Sequence, residues 1–189
     1  MLSDFIRIYD NAITTELCDE LISIFESSDK VVQIDTKDDP HSGAIRLCSE
    51  LNVFQEEEEM NPFQPIFSGL TELAAMKYAT DLKGGFIFPS QMGCEQFRMN
   101  KFIGHVNPPQ QFTFHVAVND YTSAHRFVAM MWFLNDVAEG GEITMPQLDF
   151  KVSPKKGRLL VFPATWMFPY QEEPAVDNKY VLSTFLHYI

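Results

Sequence analysis

The residues able to do metal or redox chemistry are few in this chain and stand far apart. Cys18, Cys48 and Cys94 are the three cysteines. No Cys-x-x-Cys pair joins them, so they read as buried thiols of a reducing compartment and not as a disulfide framework or zinc site. His105, His115 and His125 surround one segment, but no regular ligand spacing links them to each other or to an acid. Asp120 follows His115 by an odd number of positions, which puts it on the opposite face if the strand continues. A lone histidine cannot hold a transition metal against water, because affinity comes from several donors arranged in advance.

The elements that must position these residues are clearer. Phe112-Thr-Phe-His115-Val-Ala117 alternates as a half-buried strand does. Arg126-Phe-Val-Ala-Met-Met-Trp-Phe-Leu-Asn135 follows, then the turn Glu139-Gly140-Gly141-Glu142. Next come Pro154-Lys-Lys-Gly157, the apolar run Arg158-Leu-Leu-Val-Phe-Pro163, a loop from Ala164 to Tyr170, and Lys179-Tyr-Val-Leu-Ser-Thr-Phe185. Strands at this spacing, punctuated by Gly-Gly and Pro/Gly turns, predict an antiparallel sandwich or barrel.

With Leu-Asn-Asp before Glu-Gly-Gly-Glu, then Pro-Lys-Lys-Gly-Arg-Leu-Leu-Val-Phe-Pro, residues 95–189 resemble the iron(II)/2-oxoglutarate-dependent oxygenases. The resemblance is to the prolyl-4-hydroxylase-like branch, in the small versions that marine bacteriophages and bacteria encode. It implies an α+β, mainly β chain: a double-stranded β-helix of jelly-roll or cupin-like form with supporting N-terminal helices. One domain, 1–189, is expected, with a helix-and-strand support region at 1–94 and the β-helix core at 95–189.

The resemblance also implies a site. Such enzymes hold iron with a His-x-Asp pair and a distant second histidine, leaving open positions for cosubstrate and oxygen. Here the first position is His115, but Ala117 stands where the aspartate belongs and Tyr170 where the second histidine belongs. A His-x-Ala pattern occurs in halogenases of the superfamily, but that solution needs the second histidine. A neutral phenol is a poor iron(II) ligand. Phe102 takes the position of a tyrosine that usually stands near the 2-oxoglutarate carboxylate, and Lys179 that of the basic residue pairing with its distal carboxylate. Lys179 can equally be an ordinary sheet lysine. Trp166 and Phe168 read as barrel-mouth core, and Asp149, Glu172 and Glu173 as solvent-facing charges near turns. A Tyr170–His115 contact is expected, with Phe102 and Trp166 packed around it.

Upstream, Phe5–Tyr9 suits a short strand. Thr14 or Thr15 caps a helix over 15–27, whose Leu17, Leu21, Ile24 and Phe25 recur at helical spacing. Lys30–Ile34 suits a strand, Asp39-Pro40 a loop, and Glu56–Glu59 a solvated acidic run. Pro65–Leu82 predicts a second helix, started by Pro65 and ended by Gly84-Gly85. Glu95–Phe102 alternates as a strand. The chain has 189 residues, 46% hydrophobic and 13% aromatic, with formal charge −12. That charge argues against a nucleic-acid surface, which needs clustered Lys and Arg. No apolar run is long enough to span a membrane and no signal peptide is readable. A soluble protein is expected, intracellular (the host cytoplasm if a phage encodes it) or in a virion.

The scaffold residues are kept while the residues of the chemistry are replaced, so the reading is a catalytically degenerate oxygenase fold with a binding or structural role. No cofactor is then expected, and His115 is a lone metal-site remnant. The partner is a protein, with virion proteins the candidates the phage resemblance points to. The alternatives are a working dioxygenase using iron(II) and 2-oxoglutarate through unorthodox ligands, and a small-ligand binder that holds an anion with Lys179.

Overall fold

A computed structural model of the chain describes residues 1–36, 47–53, 63–82, 88–105 and 113–189. A 3-10 turn at Leu2–Phe5 leads into strand β1, Arg7–Tyr9. Helix α1, Thr15–Ser27, starts where the Thr14 hydroxyl accepts the Leu17 amide at 3.2 Å, satisfying one of the donors every helix start leaves open. Helix α2, Gln64–Asp81, carries Pro65 in its first turn. Both helices fall where the apolar spacing puts them; Gly84-Gly85 lies outside the described residues, and the last turn closes at Leu82. Asp39-Pro40 and Glu56–Glu59 also lie outside them.

The strands make two antiparallel sheets. The larger runs β1–β9–β6–β11–β5–β3–β2, with β4 also paired to β11. Its members are β2 (Val32–Asp35), β3 (Leu47–Asn52), β4 (Met92–Cys94), β5 (Arg98–Phe102), β6 (Arg126–Phe133), β9 (Leu159–Pro163) and β11 (Lys179–Tyr188). The smaller sheet is β10 (Gln171–Glu172), β7 (Ile143–Met145) and β8 (Phe150–Val152). This is a double-stranded β-helix, with the helices backing the larger sheet. Strands from the first half of the chain therefore belong to the same sheet as the core strands.

Because side chains alternate along a strand, the larger sheet sorts its residues onto two faces. From β6, Val128, Met130 and Trp132 turn toward α1 and α2, joining Leu21, Phe25, Phe67 and Tyr78. Ala129, Met131 and Phe133 turn the other way, toward the small sheet, meeting Ile143, Met145, Leu160 and Phe162. β11 divides likewise, Leu182 to the helices and Val181 to the sandwich interior. Lys179 shares the inward face with Val181.

Two differences from the sequence reading stand out. The strand expected from Phe112 to Ala117 is reduced to a single bridge, His115 paired with Tyr170; Phe112 itself lies outside the described residues. The two carbonyls and amides exchange hydrogen bonds of 3.0 and 2.9 Å. And β3, Leu-Cys-Ser-Glu-Leu-Asn, appears where no strand was read, because polar Ser49 and Glu50 interrupt its apolar alternation. Ser49 is buried by its partner strands and exchanges hydrogen bonds with Gln33 on β2.

Candidate functional site

His115, Ala117 and Tyr170 come together on the wall of a cleft of about 600 Å³. The backbone bridge brings the first and last of these into contact, and the rings meet with centroids 4.2 Å apart, tilted by 55°. The His115 Nδ1 lies 3.2 Å from the Thr113 carbonyl. Behind Tyr170 the ring of Phe162 packs edge-on at 5.3 Å, so the phenol is 6% exposed. Tyr170 is thus a core residue of the sandwich interior that also forms the cleft floor.

Ala117 is held from the other side. The Arg126 guanidinium, at the start of β6, donates to the Ala117 carbonyl at 2.7 Å and grips Glu95 with two bonds of 2.5 and 2.8 Å. It also lies over the Phe185 ring at 4.2 Å. This fork fixes the backbone at the position where the resemblance expects a ligand, yet the side chain there is a buried methyl. Sequence reasoning passed over Glu95 and Arg126. Nothing local marks a pair so far apart; only the pairing of β4 and β6 onto β11 brings them together.

Lys179 does not line the cleft and is 1% exposed. Its ammonium donates to the Gly141 carbonyl at 2.9 Å and to the Glu172 carboxylate, and lies 4.6 Å above the Phe102 ring. Gly140 and Gly141 both have left-handed φ, +76° and +72°. A Cβ on Gly140 would come within 2.1 Å of the Pro174 carbonyl, so the turn that aims Gly141 at the lysine needs glycine. Glu172, read as a solvent-facing charge, is 8% exposed. It is buried because a lysine inside a sandwich requires a counter-charge. The signal was present: Lys179 shares the inward face of an apolar strand, which demands an acid nearby. This pairing also removes the ground for reading Lys179 as a free anchor for an anion.

The rim departs from the sequence expectation in several places. Trp166 does not pack around Tyr170; it is 76% exposed on the loop before it, whereas Phe168 is buried as expected. Phe102 does line the cleft. Asp120 also lines it and is not on the opposite face, because the chain leaves strand geometry after Ala117. The Ser123 hydroxyl and amide and the Thr122 hydroxyl all donate to its Oδ1, at 2.6, 2.7 and 2.8 Å. Those bonds, the Ser123 hydroxyl first, hold its carboxyl down to about 2. His105 and His125 line no part of the cleft; the His125 ring packs edge-on against His187 at 4.9 Å. Asp149 is exposed, and Glu173 is half-buried, accepting from Thr144 and Gln171.

The donor set does not fit iron. One imidazole remains, a methyl and a phenol fill the two other positions, and the phenol ring presses on the imidazole. Among the described residues no three His, Cys, Asp or Glu side chains lie close enough to share a metal. The site offers a recess walled by aromatic rings (Phe102, Phe114, Phe185) and by polar groups (Arg98, Asn100, Ser183), suited to contact and hydrogen bonding.

Comparison with known proteins agrees with the architecture. Residues 100–187 match the model of the 2OG-Fe(II) oxygenase superfamily. No curated protein sequence matches the chain. Among solved structures, the viral collagen prolyl hydroxylase of Paramecium bursaria Chlorella virus-1 superposes with TM-score 0.68 at 14% identity, over 98% of this chain and 97% of that one. A prolyl hydroxylase of Trichoplax adhaerens, in complex with a hypoxia inducible factor oxygen degradation domain peptide, gives 0.73 at 14% identity, over 98% and 84%. A Pseudomonas putida prolyl-4-hydroxylase gives 0.64 at 16%, over 97% and 92%. Over residues 100–187 this chain is similar to the 2OG-Fe(II) oxygenase superfamily, and its fold is the one these prolyl hydroxylases share.

Proposed function

We propose that this chain is a catalytically silent member of the superfamily, retained as a binding or structural protein. One observation carries the reading: the ring of Tyr170 lies against His115, with Ala117 beside them, where the family's chemistry needs two further metal donors. The ordered scaffold around these residues supports a role in which shape matters. The partner proposed is a protein, with a virion component the candidate that the resemblance to phage-encoded versions suggests. A formal charge of −12 favours a basic partner surface and disfavours nucleic acid.

The test is metal content and turnover together. The protein, purified with iron(II) supplied, is expected to carry no stoichiometric iron and to form no succinate from 2-oxoglutarate. Ala117→Asp combined with Tyr170→His restores three donors on one face and is expected to recover iron affinity, whereas either change alone leaves two donors and falls short. Wild-type protein that binds iron as tightly as the double variant, or that turns over 2-oxoglutarate, would establish the dioxygenase reading in place of this one.

A further inference from the structure

At the end of β11 opposite Lys179, two histidines meet outside the cleft. His125 ends the turn before β6 and His187 lies near the end of β11; neither lines the cleft. Their rings lie 4.9 Å apart between centroids and cross at 88°. The backbone ties the two segments together, the Tyr188 amide donating to the His125 carbonyl at 3.0 Å. The register between β6 and β11 shifts between Leu186 and His187, a bulge of the kind that re-aims a side chain. On the other flank of β11, Gly93 leaves room for the ring. A Cβ there would come within 2.6 Å of the His187 Cε1 and 2.8 Å of its Nε2.

A pair of phenyl rings would serve packing equally well; two imidazoles add nitrogen donors. The His187 Nδ1 lies 3.1 Å from the Tyr188 carbonyl, which can only accept, so Nδ1 carries the proton and Nε2 keeps its lone pair. A hydrogen bond that fixes the tautomer in this way is the usual outer support of a metal-bound imidazole. The His125 Nε2 lies 4.0 Å from the Glu95 carboxylate, beyond hydrogen-bonding distance, and its side chain is 45% exposed, so the ring can turn. Two imidazoles on one tetrahedral ion, with metal–nitrogen bonds of about 2.0–2.1 Å, hold their ring centroids about 5 Å apart. The observed separation is of that size. Glu95 adds negative charge beside His125, but the Arg126 fork holds both of its oxygens, so it is a supporting charge and not a third donor.

We propose that His125 and His187 form a two-histidine site for a borderline divalent transition-metal ion, with water in the remaining positions. Imidazole donors suit copper(II), nickel(II) and zinc(II), and the general affinity order puts copper(II) first. Iron(II) stands low in that order, so the site calls for no stoichiometric iron. The bound ion staples the start of β6 to the end of β11 and keeps open positions for exchange. The site is separate from His115 and independent of the non-catalytic reading.

The experiment is calorimetric titration of the tag-free protein with copper(II), nickel(II) and zinc(II), each alone in a weakly coordinating buffer. One ion per chain is expected, with copper(II) bound most tightly. His125→Ala and His187→Ala are each expected to weaken binding by ~100-fold, because one arm of the chelate is lost. His105→Asn and His115→Ala are expected to leave it unchanged, with folding of every variant checked by its metal-free Tm. If His187→Ala does not fold, His187→Phe keeps a ring in place without a donor and is expected to lose the same affinity. Electron paramagnetic resonance of the copper complex gives a second readout: coupling to two nitrogens in the wild type and to one in each single variant. A wild type that takes up no copper, binding that survives loss of both histidines, or binding lost equally with His115→Ala overturns the proposal. Iron held through His115, with succinate formed from 2-oxoglutarate, would defeat the non-catalytic reading and leave this site untouched.

Discussion

The two faces of the larger sheet have been used in opposite ways. On the face toward α1 and α2, Val128, Met130, Trp132 and Leu134 form a purely structural core with Leu21, Phe25, Phe67 and Tyr78. On the face toward the small sheet, Ala129, Met131, Phe133 and Phe162 are equally buried, but Phe102, Ala117 and Tyr170 are counted among them. The inner core of this fold extends into the place where chemistry would occur. On the proposed non-catalytic reading, a methyl and an aromatic ring at the donor positions extend a core that already exists, whereas the helix-backed face has no such positions. A site lost in this way costs the fold little, because its positions lie on inward-facing strand and bridge residues.

The largest loss of stability is expected from removing the largest side chain of the helix-backed face. Trp132→Ala is expected to lower stability by about 3–5 kcal/mol, measured by denaturant unfolding, because the indole is fully buried and neighbours cannot collapse into so large a void. On the inner face, Tyr170→Ala is expected to cost about 2–4 kcal/mol. The value is smaller because the ring borders the cleft, so water and the His115 ring can relax into part of the space. A Tyr170→Ala protein of unchanged stability would mean that the phenol is not core at all, and that the cleft floor lies open as a small-ligand site.

Acid conditions probe two carboxylates at the edges of these regions. Asp10, after β1, receives hydrogen bonds from Arg158 and Lys155, which hold its carboxyl at about 2 against an ordinary 3.8; Asp120, at the cleft rim, is held at about 2 by Ser123 and Thr122. A depressed folded value stabilises the native state fully above the ordinary carboxylate range, and that contribution drains away as pH falls through about 2. Each effect is small, because both groups are open to solvent and exposed pairs are screened. Asp10→Asn and Asp120→Asn are each expected to flatten the stability profile between neutral pH and the acid limit. Equal slopes for wild type and variant would show that the bond in question does not persist in solution.

Most of the scaffold was legible from residue pattern, and the reasons are local. The apolar runs of β6, β9 and β11, the Thr14 cap and the Gly140-Gly141 turn each state their conformation within a few residues. The site was legible only in outline. His115, Ala117 and Tyr170 were placed by the spacing of a resemblance, and the fold brings them together. The identities of the electrostatic partners were not readable, because Glu95 meets Arg126 and Glu172 meets Lys179 only through tertiary pairing; an inward-facing lysine signals that an acid lies near it, but not which one. Glu172 was misread for the usual reason that an acid in a Gln-Glu-Glu-Pro turn faces water; here an inward-facing lysine overrode that tendency. Trp166 was misread in the opposite sense, since large aromatics are buried on average.

The smallest expected effect belongs to that tryptophan, and it separates the two regions with one spectroscopic probe. The chain has two tryptophans. Trp132 is 1% exposed in the helix-backed core, whereas Trp166 is 76% exposed on the loop that leads to Tyr170. Trp166→Phe removes an indole that contributes little packing, so the change in stability is expected to stay within about 0.5 kcal/mol. The emission should change far more than the stability. Water relaxes around an exposed indole and shifts its emission to longer wavelength, and a soluble quencher such as acrylamide reaches it freely. Trp166→Phe is therefore expected to leave a blue-shifted spectrum that acrylamide quenches weakly, the signal of Trp132 alone. A variant that still shows the red, quenchable component would place Trp132 near solvent and undo the assignment of the helix-backed face as closed core. A loss of several degrees in Tm would instead show that the Trp166 ring folds back onto the sandwich, making its loop part of the inner core.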